Sequence, residues 1–533
     1  MVWTFIQRCL IVIFVVVLAG CTIVGPDFEG VGPVALPSEW QQRQSTNAEY
    51  DLKNWWQQFN DPTLNALVIT AIEQNLDIES AGLRILQARM VLGISEGWQY
   101  PQVQKLSGSF ARGYNNEKGS RSGLISFDAG WEIDIWGKYA RGIESSEAGL
   151  YASIASYHDI SVIITSEVAR NYINYRTFQE RVLLSERNIE IQKRVVDITQ
   201  VQFDSGNVTE LDVQQAKSQL YSTQAVLPSL KIGMIQAHNG LAVLLGLLPD
   251  ALTPMLNPPE LTAKIAKYKQ QYSQSGTKQP MDKSQSSSLV PRSPEVVNSI
   301  DADLVLRRPD LQIAELSAHL QSARIGIAES ALYPNFSLFG SIGINSTVPN
   351  GSSFSFSDSL VLAAGPSFSW NLFQYGRIKN NVRLEDARLQ EALVQYNKKL
   401  LQAISEVSSA LSGYGLLKEQ QGLRLSSVNT SIRAFNISMT QYENGQIGFE
   451  RLLNSVDKMT RSEDSYAQVK GNVANQVVAL YKSLGGGWQA NSGKAFISNA
   501  NIEQMKQRSD WDDILDEPSS LPSRKAIPTG EGN

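Results

Sequence analysis

Histidine, cysteine and paired carboxylates are the side chains that most often bind metals or carry out nucleophilic and proton-transfer chemistry. The three histidines of this chain, His158, His238 and His319, are far apart in the sequence. The chain has no HExxH or CxxC spacing, no GxxxxGK phosphate loop and no GxSxG nucleophile elbow. These observations predict that the protein is not an enzyme and that it has no metal site and no cofactor.

Cysteine chemistry is predicted at the N-terminus. Residues 1–20 contain a basic Arg8, an apolar run from Leu10 to Leu18 and then Leu-Ala-Gly before Cys21. This is the layout of a secretory signal peptide that ends in a lipoprotein processing box, so we expect Cys21 to be the first mature residue and to carry lipid such as palmitate. Cleavage elsewhere, with an incidental cysteine, is the alternative. Because Cys9 lies in the signal, the mature chain has a single cysteine and no internal disulfide.

The rest of the chain contains two similar halves. Gly206 and Gly445 lie 239 residues apart, and the same offset relates Gly137 to Gly376 and Leu244–Gly246 to Ser483–Gly485. The Tyr-Pro motifs at Tyr100 and Tyr333 lie 233 residues apart. Such a long period indicates a duplicated domain rather than a solenoid. We assign residues 81–250 and 301–487 to the two repeats.

Each repeat is predicted to contain a hairpin of long helices. Proline is absent from Gln102 to Leu227 and from Gly376 to Leu484, which favours uninterrupted helices over about Ala140–Phe203 and Arg377–Tyr442. A helix of about 64 residues is roughly 95 Å long. Glycines in the polar turns at Gly206 and Gly445 allow each helix to end and a second to return. Pro228 predicts a kink or break in the first returning helix.

Strands are predicted before each long helix, in hairpins over about 102–135 and 335–372. The clearest is Ile125–Ile135, in which apolar and polar residues alternate over the length of a tilted membrane-spanning strand. A soluble sandwich strand would alternate in the same way. In a membrane, one face would meet lipid and the other a lumen: we expect Ile125, Phe127, Trp131 and Ile133 to face lipid and Ser126, Asp128, Glu132 and Asp134 to face the lumen.

Four strands cannot close a barrel, and an open sheet edge in lipid would leave backbone groups unpaired. The chain is therefore expected to oligomerise, with eight strands from two copies or twelve from three. Eight-stranded barrels are filled by side chains, so a conduit favours three or more copies. No segment after the signal is apolar enough for a spanning helix. The net charge of −5 argues against nucleic-acid binding.

Two segments outside the repeats are polar. Residues 251–300 include a stretch rich in Ser, Gln, Lys and Pro, which predicts a flexible linker. Residues 488–533 form a polar C-terminal tail that we expect to be poorly ordered, although Trp511–Leu515 could dock. Residues 21–80 are assigned to the lipidated N-terminal segment and part of a domain around the helices.

Several short motifs in a fixed order resemble those of one family. They are GPDF at 25–28, WWQQFNDPTLNAL at 55–67 with NLDI at 75–78, WEIDIWGK at 131–138, LRRPDL at 306–311, SLGGGW at 483–488 and the two glycine tips. Together they resemble the TolC-type outer membrane factors, and within them the lipoprotein branch that serves multidrug efflux by resistance-nodulation-division (RND) pumps. The resemblance covers nearly the whole mature chain.

The resemblance implies a mixed α and β fold: a homotrimer with a twelve-stranded barrel in the Gram-negative outer membrane, continued by a periplasmic α-helical barrel with an equatorial domain. The protein would be a passive exit duct. Its periplasmic tips would contact an adaptor (membrane fusion) protein, which bridges to an inner-membrane RND or ABC transporter. The matching tip residues are Gly206, Asn207, Val208, Gly445, Gln446 and Ile447.

The family closes its resting pore near the tips. Nine residues after the second tip glycine, relatives commonly have an aspartate where this chain has Asn454. The nearby acids Glu450 and Asp457, with Asp212 in the first repeat, are therefore also gate candidates. Carboxylates from three chains on one axis would repel one another and attract cations; solvated charges on a helix face are the alternative.

Drug or other small-molecule efflux is the predicted function, with heavy-metal efflux and type I protein secretion as alternatives. A structural coiled-coil envelope lipoprotein is the non-channel alternative. Such a spacer would need the lipid and the long helices. It would have no use for four strands of membrane-spanning length.

Overall fold

The structure, a computed structural model, describes residues 22–32, 52–115, 118–275, 288–296, 305–349, 355, 359–491 and 494–515. The predicted signal peptide and Cys21 lie outside the described residues. The helices are α1 (Pro62–Gln74), α2 (Leu76–Gly97), α3 (Lys138–Asp204), α4 (Glu210–Leu244), α5 (Pro249–Leu256), α6 (Pro259–Ser275), α7 (Pro309–Ser330), α8 (Arg377–Glu443), α9 (Phe449–Ser483) and α10 (Asn499–Arg508). Short 3-10 helices span Trp55–Phe59, Trp488–Asn491 and Asp512–Leu515.

The two long helices have the same length and the same boundaries relative to the tips. Helices α3 and α8 contain 67 residues each, and their returning partners α4 and α9 contain 35 each. At 1.5 Å per residue the long helices extend about 100 Å. Both begin after a glycine with positive φ, Gly137 (76°) and Gly376 (82°). The predicted helical hairpins are therefore present, with ends close to those expected from the proline gaps.

A four-stranded antiparallel sheet precedes the long helices. Its strands are β1 (Val103–Asn115), β2 (Lys118–Ile133), β3 (Asn335–Pro349) and β4 (Leu360–Ser369), in the order β1-β2-β3-β4. Strand β2 pairs with β3, so hairpins from the two halves of the chain share one sheet. Strand β2 ends at Ile133, two residues earlier than predicted, because the chain turns there to start α3.

Each returning helix is continued by a second helix from an earlier part of the same half. Asn75 begins α2, and its side-chain amide donates to the carbonyl of Leu244, the last residue of α4 (2.8 Å). In the other half, Arg308 precedes α7 and donates to the carbonyl of Ser483, the last residue of α9 (2.8 Å). The glycines that end α4 and α9 have positive φ and lie against these joints, Gly246 beside the carbonyl of Gln74 and Gly485 beside Pro309.

The motifs at 55–67, 306–311 and 483–488 meet at these joints. Trp55 is fully buried and stacks on Tyr481 with ring centroids 5.3 Å apart. The guanidinium of Arg308 pairs with Asp310 and Glu406, both at 2.8 Å. Although burial raises the pKa of Asp310, the hydrogen bonds and charge of Arg308 hold it below its usual value. Trp55 and Tyr481 belong to the main core, Val305 and Leu311 beside Arg308 belong to a separate cluster, and a second core lies near the tips.

The N-terminal segment packs where the sheet meets the long helices. Val24 donates its backbone N–H to the carbonyl of Trp136 (3.1 Å), directly after β2. Arg141, on the first turn of α3, donates to the carbonyls of Val24 and Gly25 and pairs with Asp27 at 2.8 Å. A Cβ on Gly25 would lie 2.4 Å from the Cα of Gly326, so this close approach requires glycine. These contacts account for the GPDF motif.

The linker predicted over 251–300 is in large part structured. Helices α5 and α6 occupy much of it, and Leu289 and Val290 are buried. Their backbone N–H groups donate to the carboxylate of Glu180 on α3, at 3.1 and 3.4 Å. The polar composition hides a few apolar residues, such as Leu256 and Leu289, that are buried against other helices, and buried hydrogen bonds to Glu180 add to this packing. Residues 276–287 and 297–300 lie outside the described residues.

The prediction of poor order in the tail is wrong for residues 494–515. Phe496, Ile497 and Leu515 are buried in the main core, so Trp511–Leu515 docks on the fold, which is the alternative that the sequence left open. A Cβ on Gly82 of α2 would meet the carbonyl of Phe496 at 1.8 Å, which shows how closely the tail packs. Residues 516–533 lie outside the described residues. The predicted break at Pro228 is also absent, because α4 is one continuous helix.

None of the described helices is long and apolar enough to span a membrane alone. One pair, α4 with α5, passes the same length and composition test together, with a bend of 105° between its helices.

Candidate functional site

The first candidate surface is the outward face of the sheet. Register places Leu106, Phe127, Ile342 and Leu362 side by side across all four strands. Their exposed fractions are 74, 45, 50 and 74%. Ile125 (59%) and Trp131 (37%) are exposed on the same face, and Ile133 is half-buried on it. A contiguous exposed apolar band of this kind marks a membrane or protein contact surface.

The opposite face of the sheet is polar. Asp128 accepts hydrogen bonds from Ser126 of its own strand (3.2 Å) and Ser341 of β3 (2.6 Å). Glu132 pairs with Lys138 at 3.0 Å, at the start of α3. Asp134 lies beyond the strand, and its carboxylate accepts the backbone N–H groups of Tyr139 and Ala140 at 3.0 and 2.8 Å. It therefore caps α3 rather than continuing the strand face as expected.

Two tryptophans mark the helix-side end of the sheet. The indole N–H of Trp131 donates to the carbonyl of Gln99, and that of Trp370 donates to the carbonyl of Leu332, both at 3.0 Å. Both rings are exposed. A tryptophan whose indole N–H is hydrogen-bonded to a polar group while its apolar ring is exposed is typical of a membrane interface. The two positions are related by the offset of 239 found in the sequence.

The second candidate surface is the pair of glycine tips. Gly206 (φ 77°) and Gly445 (φ 69°) adopt the left-handed conformation, and both turns have the same hydrogen bonds. Asn207 donates to the carbonyl of Gln202 at 2.9 Å, and Gln446 donates to that of Gln441 at 2.8 Å. This is the Schellman geometry that ends a helix. A Cβ at either glycine would meet no atom within 4 Å, so backbone conformation alone favours glycine there.

The tips present a polar surface on an apolar base. Asn207 and Gln446 are exposed, whereas Val208 and Ile447 pack against the second core. Tyr442 ties the two hairpins together, because its hydroxyl donates to Thr199 of α3 at 3.3 Å. All six predicted tip residues therefore lie at the turns that end the long helices.

The gate candidates occupy different environments. Asp212 forms a capping box with Thr209, whose backbone N–H and hydroxyl both donate to its carboxylate at 2.9 Å. Asp457 pairs with Arg461 at 2.9 Å on the same helix. Glu450 and Asn454 are exposed within the first two turns of α9. Asp212 thus has a structural role in this chain, and Asn454 and Glu450 are the candidates left open to solvent.

A ladder of polar pairs joins the two hairpins, and the sequence did not predict it. It connects α3 mostly to α9 through Asn174 with Asn475, Glu180 with Lys470, Arg181 with Asp464, Arg187 with Glu463 and Thr199 with Tyr442 of α8. The partners lie hundreds of residues apart, so spacing could not reveal them. The only sequence signal is a charge, such as Glu180 or Lys470, at a helix position otherwise suited to the core.

A cavity of about 590 Å³ lies beside this ladder. Its wall includes Phe59, Tyr172, Lys264, Val290 and Lys470. Lys264 donates to the carbonyl of Ser288 at 2.8 Å, and burial lowers its pKa. None of the residues predicted for the sheet face, the gate or the tips lines it.

The histidines lie apart in the fold and serve packing. His158 stacks on Trp488 with centroids 4.2 Å apart, and His319 lies 3.0 Å from Glu144 and stacks on Phe28. His238 contacts Asn239 and Thr253. The part of the chain that the structure describes contains no group of His, Cys, Asp and Glu able to hold a metal ion.

His158 makes stability sensitive to acid. Burial lowers its pKa from 6.5 to about 4, so the folded chain holds it neutral. Between these values the unfolded chain binds the proton more readily, and stability falls as pH falls from about 6.5 to about 4. We expect His158→Phe, which keeps the ring stack, to remove about 1–3 kcal/mol of this loss. Unfolding midpoints measured across this pH range test it; equal acid loss in both proteins would contradict it.

The chain is similar to known proteins over most of its length. The chain is 26% identical to the pyoverdine export outer membrane protein OpmQ of Pseudomonas putida, over 89% of this chain and 96% of that protein. It is 24% identical to nodulation protein T of Rhizobium leguminosarum bv. viciae, over 91% of this chain and 96% of the relative. It is also 24% identical to the cation efflux system protein CusC of Escherichia coli K12, over 90% of this chain and 99% of that protein.

Solved structures share the fold. The outer-membrane channel OprN superposes with a TM-score of 0.73 and 28% identity, over 87% of this chain and 99% of that one. The CmeC outer membrane channel of Campylobacter jejuni superposes with a TM-score of 0.71 and 22% identity, over 92% of this chain and 99% of that one. The similarity to CmeC concerns the fold alone. These neighbours are TolC-like outer-membrane channels, and this chain, which is mostly helical with one small antiparallel sheet, shares their fold.

The profile of the family described as outer membrane efflux protein matches residues 67–247 and 302–486. The family predicted from the motifs is thereby confirmed, and with it an outer-membrane location and a function in efflux. The family consists of channels rather than enzymes. Because the match covers more than half of the sequence, the chain belongs to the outer membrane efflux protein family.

Proposed function

We propose that three copies of this chain form the outer-membrane exit duct of a tripartite efflux system. The observation that carries the proposal is the outward face of the sheet, an exposed apolar band on strands long enough to cross a bilayer. Three four-stranded sheets give a twelve-stranded barrel with no free edge, in which the polar face of Asp128 and Glu132 lines a lumen. The duct is passive and performs no enzymatic reaction.

The helices continue the duct below the membrane. Each chain supplies four helical columns: α3, α8, α4 continued by α2, and α9 continued by α7. A trimer therefore has twelve columns. Equal lengths of 67 and 35 residues in both halves support descent from a duplicated unit. In the trimer the two kinds of hairpin alternate around the axis. Near the tips, Asn454 and Glu450 are the gate positions we favour because both are open to solvent.

We further propose that lipid on Cys21 anchors the chain in the outer membrane. Val24 and Gly25 are fixed at the junction of β2 and α3, only a few residues after Cys21. A lipid chain at Cys21 would therefore enter the bilayer beside the lower rim of the sheet, where Trp131 and Trp370 lie. One relative, from Salmonella typhimurium, is named as a probable outer membrane lipoprotein.

The exposed tips indicate where a partner protein would bind. Asn207 and Gln446 expose amide groups at the far end of helices about 100 Å long, where a periplasmic adaptor would contact them. The adaptor would bridge to an RND or ABC transporter, which supplies the energy. Relatives named for pyoverdine export and cation efflux support small molecules or ions as the cargo of this system.

Site-specific crosslinking tests the proposal. A photoreactive residue replaces Gln446 in cells that carry the native system, and captured proteins are identified by mass spectrometry. Capture of a periplasmic adaptor is the expected result. Failure to capture one, with protein shown to be folded in the outer membrane, would contradict docking at the tip. The same residue placed at Gln374, near the sheet, provides a control that should capture no adaptor.

A bulky tip should stop export without preventing assembly. Gly445→Trp adds a large side chain to a turn that has free space around it, and strains the left-handed backbone by about 1 kcal/mol. We expect wild-type trimer yield and an at least tenfold loss of cargo resistance in cells. Gly445→Asn, which tolerates the same backbone conformation, is the control and should export normally. Full export by the tryptophan variant would overturn the tip assignment.

A further inference from the structure

On the outward face of the sheet, the described charged side chains all lie at one height along the strands. Among the described strand residues on that face, the only charged side chains are Arg112 of β1 and Arg121 of β2. The other charged strand residues with described side chains, Lys105, Asp128 and Glu132, lie on the opposite face. Two arginines at the end of an apolar surface need a physical reason.

The two arginines are direct neighbours. Arg112 and Arg121 are register partners on adjacent antiparallel strands, which places their Cβ atoms about 5 Å apart. Like charges in such a pair repel each other. The cross-strand neighbour of Arg121 on β3 is Val348, so this strand offers no acid either. Among the described residues neither guanidinium forms an ion pair, and both side chains are exposed.

Their height matches a membrane surface. Ten residues separate Arg121 from Trp131, the residue at the helix-side rim, or about 33 Å along the strand. With the usual strand tilt this is about 25 Å of membrane thickness, the height of the apolar band on outer-membrane barrels. Phe110 and Tyr114 flank the pair, and the guanidinium of Arg112 lies 5.3 Å from the Tyr114 ring centroid. Arginine and aromatic side chains therefore lie together at the end of the apolar band that is farthest from Trp131.

We propose that Arg112 and Arg121 form a binding site for the phosphate of a lipid headgroup at the outer rim of the barrel. Two planar guanidinium groups can each donate a pair of hydrogen bonds to phosphate oxygens, and a bound anion removes the repulsion between them. The apolar residues below, Phe110 and Ile125, would contact the acyl chains of the same lipid. A free anion would use the arginines alone.

This inference rests on the proposed placement of the sheet in the membrane. The test uses purified full-length protein whose channel conductance in a planar bilayer has been verified, so that failure of the channel and failure of the site are separate results. Native mass spectrometry then measures retention of phosphatidic acid, with diacylglycerol as the uncharged comparison. Inorganic phosphate in excess serves as competitor.

We expect phosphatidic acid to be retained and diacylglycerol to be lost. The double variant with Arg112→Gln and Arg121→Gln should bind phosphatidic acid about 25-fold more weakly, because each arginine near a lipid surface contributes about fivefold to the affinity. Lys105→Gln removes a cation from the opposite face of β1 and should leave retention unchanged. Equal retention by the double variant, or equal loss from Lys105→Gln, would overturn the site. Full displacement by inorganic phosphate would overturn the lipid as ligand and identify a free-anion site.

Discussion

Phe127→Arg is expected to abolish outer-membrane assembly. Phe127 lies midway between Trp131 and Gly123 on the outward face, and 45% of its surface is exposed in the single chain. Arginine at the bilayer midplane of a barrel costs about 2–4 kcal/mol per chain. In the proposed trimer three such charges cost roughly 6–12 kcal/mol, comparable with the whole stability of a typical domain. The amount of folded trimer in isolated outer membranes measures the effect.

The control for this substitution lies on the other face. Ser107 is next to Leu106, the register partner of Phe127, and its side chain lies on the polar face of β1. Ser107→Arg introduces the same charge at the same depth, facing a lumen filled with water. We expect near wild-type yield with altered ion selectivity. If both variants assembled equally well, the outward face would not meet lipid and the proposed placement of the sheet in the membrane would fail.

Lys470→Met is expected to cause the largest loss of stability in the helical part. Lys470 forms an ion pair with Glu180, and both side chains are at least nine-tenths buried. Among the described residues, removing the cation leaves the buried carboxylate with hydrogen bonds from Ser288, Leu289 and Val290. Breaking one partner of a buried pair costs about 3–5 kcal/mol. The free energy of unfolding from denaturant titration should fall by that amount.

A double variant separates charge from packing. Glu180→Gln with Lys470→Met removes both charges and should recover much of the loss. A deficit that is unchanged in the double variant would point to packing instead.

The parts of the fold that follow local rules were predictable from the sequence. Glycine tips at 206 and 445, helix ends near 204 and 443, and the alternating strand around Phe127 depend on turn conformation and periodicity within a few residues. The short motifs also identified the family. Predictions that required only local chemistry were therefore accurate to within a few residues.

The parts that depend on distant contacts were not predictable. The joint between Asn75 and Leu244, and the pairing of Glu180 with Lys470, connect residues 169 and 290 positions apart. No local pattern reports such contacts. The same reason explains the errors over 251–300 and in the tail. A few apolar residues there, such as Leu289 and Phe496, are buried against distant parts of the chain, and hydrogen bonds to α3 hold the backbone beside Leu289. The overall composition reports only that these segments are polar.

The short N-terminal segment at the junction of sheet and helix has a further consequence. Val24 and Gly25 are held by Trp136 and Arg141. Four residues of extended chain span about 14 Å at most, so a lipid on Cys21 would be attached within that distance of the lower end of β2. In the proposed trimer such an anchor would limit the vertical displacement of each subunit in the membrane, and would so help to bring the three sheets to the same level for pairing.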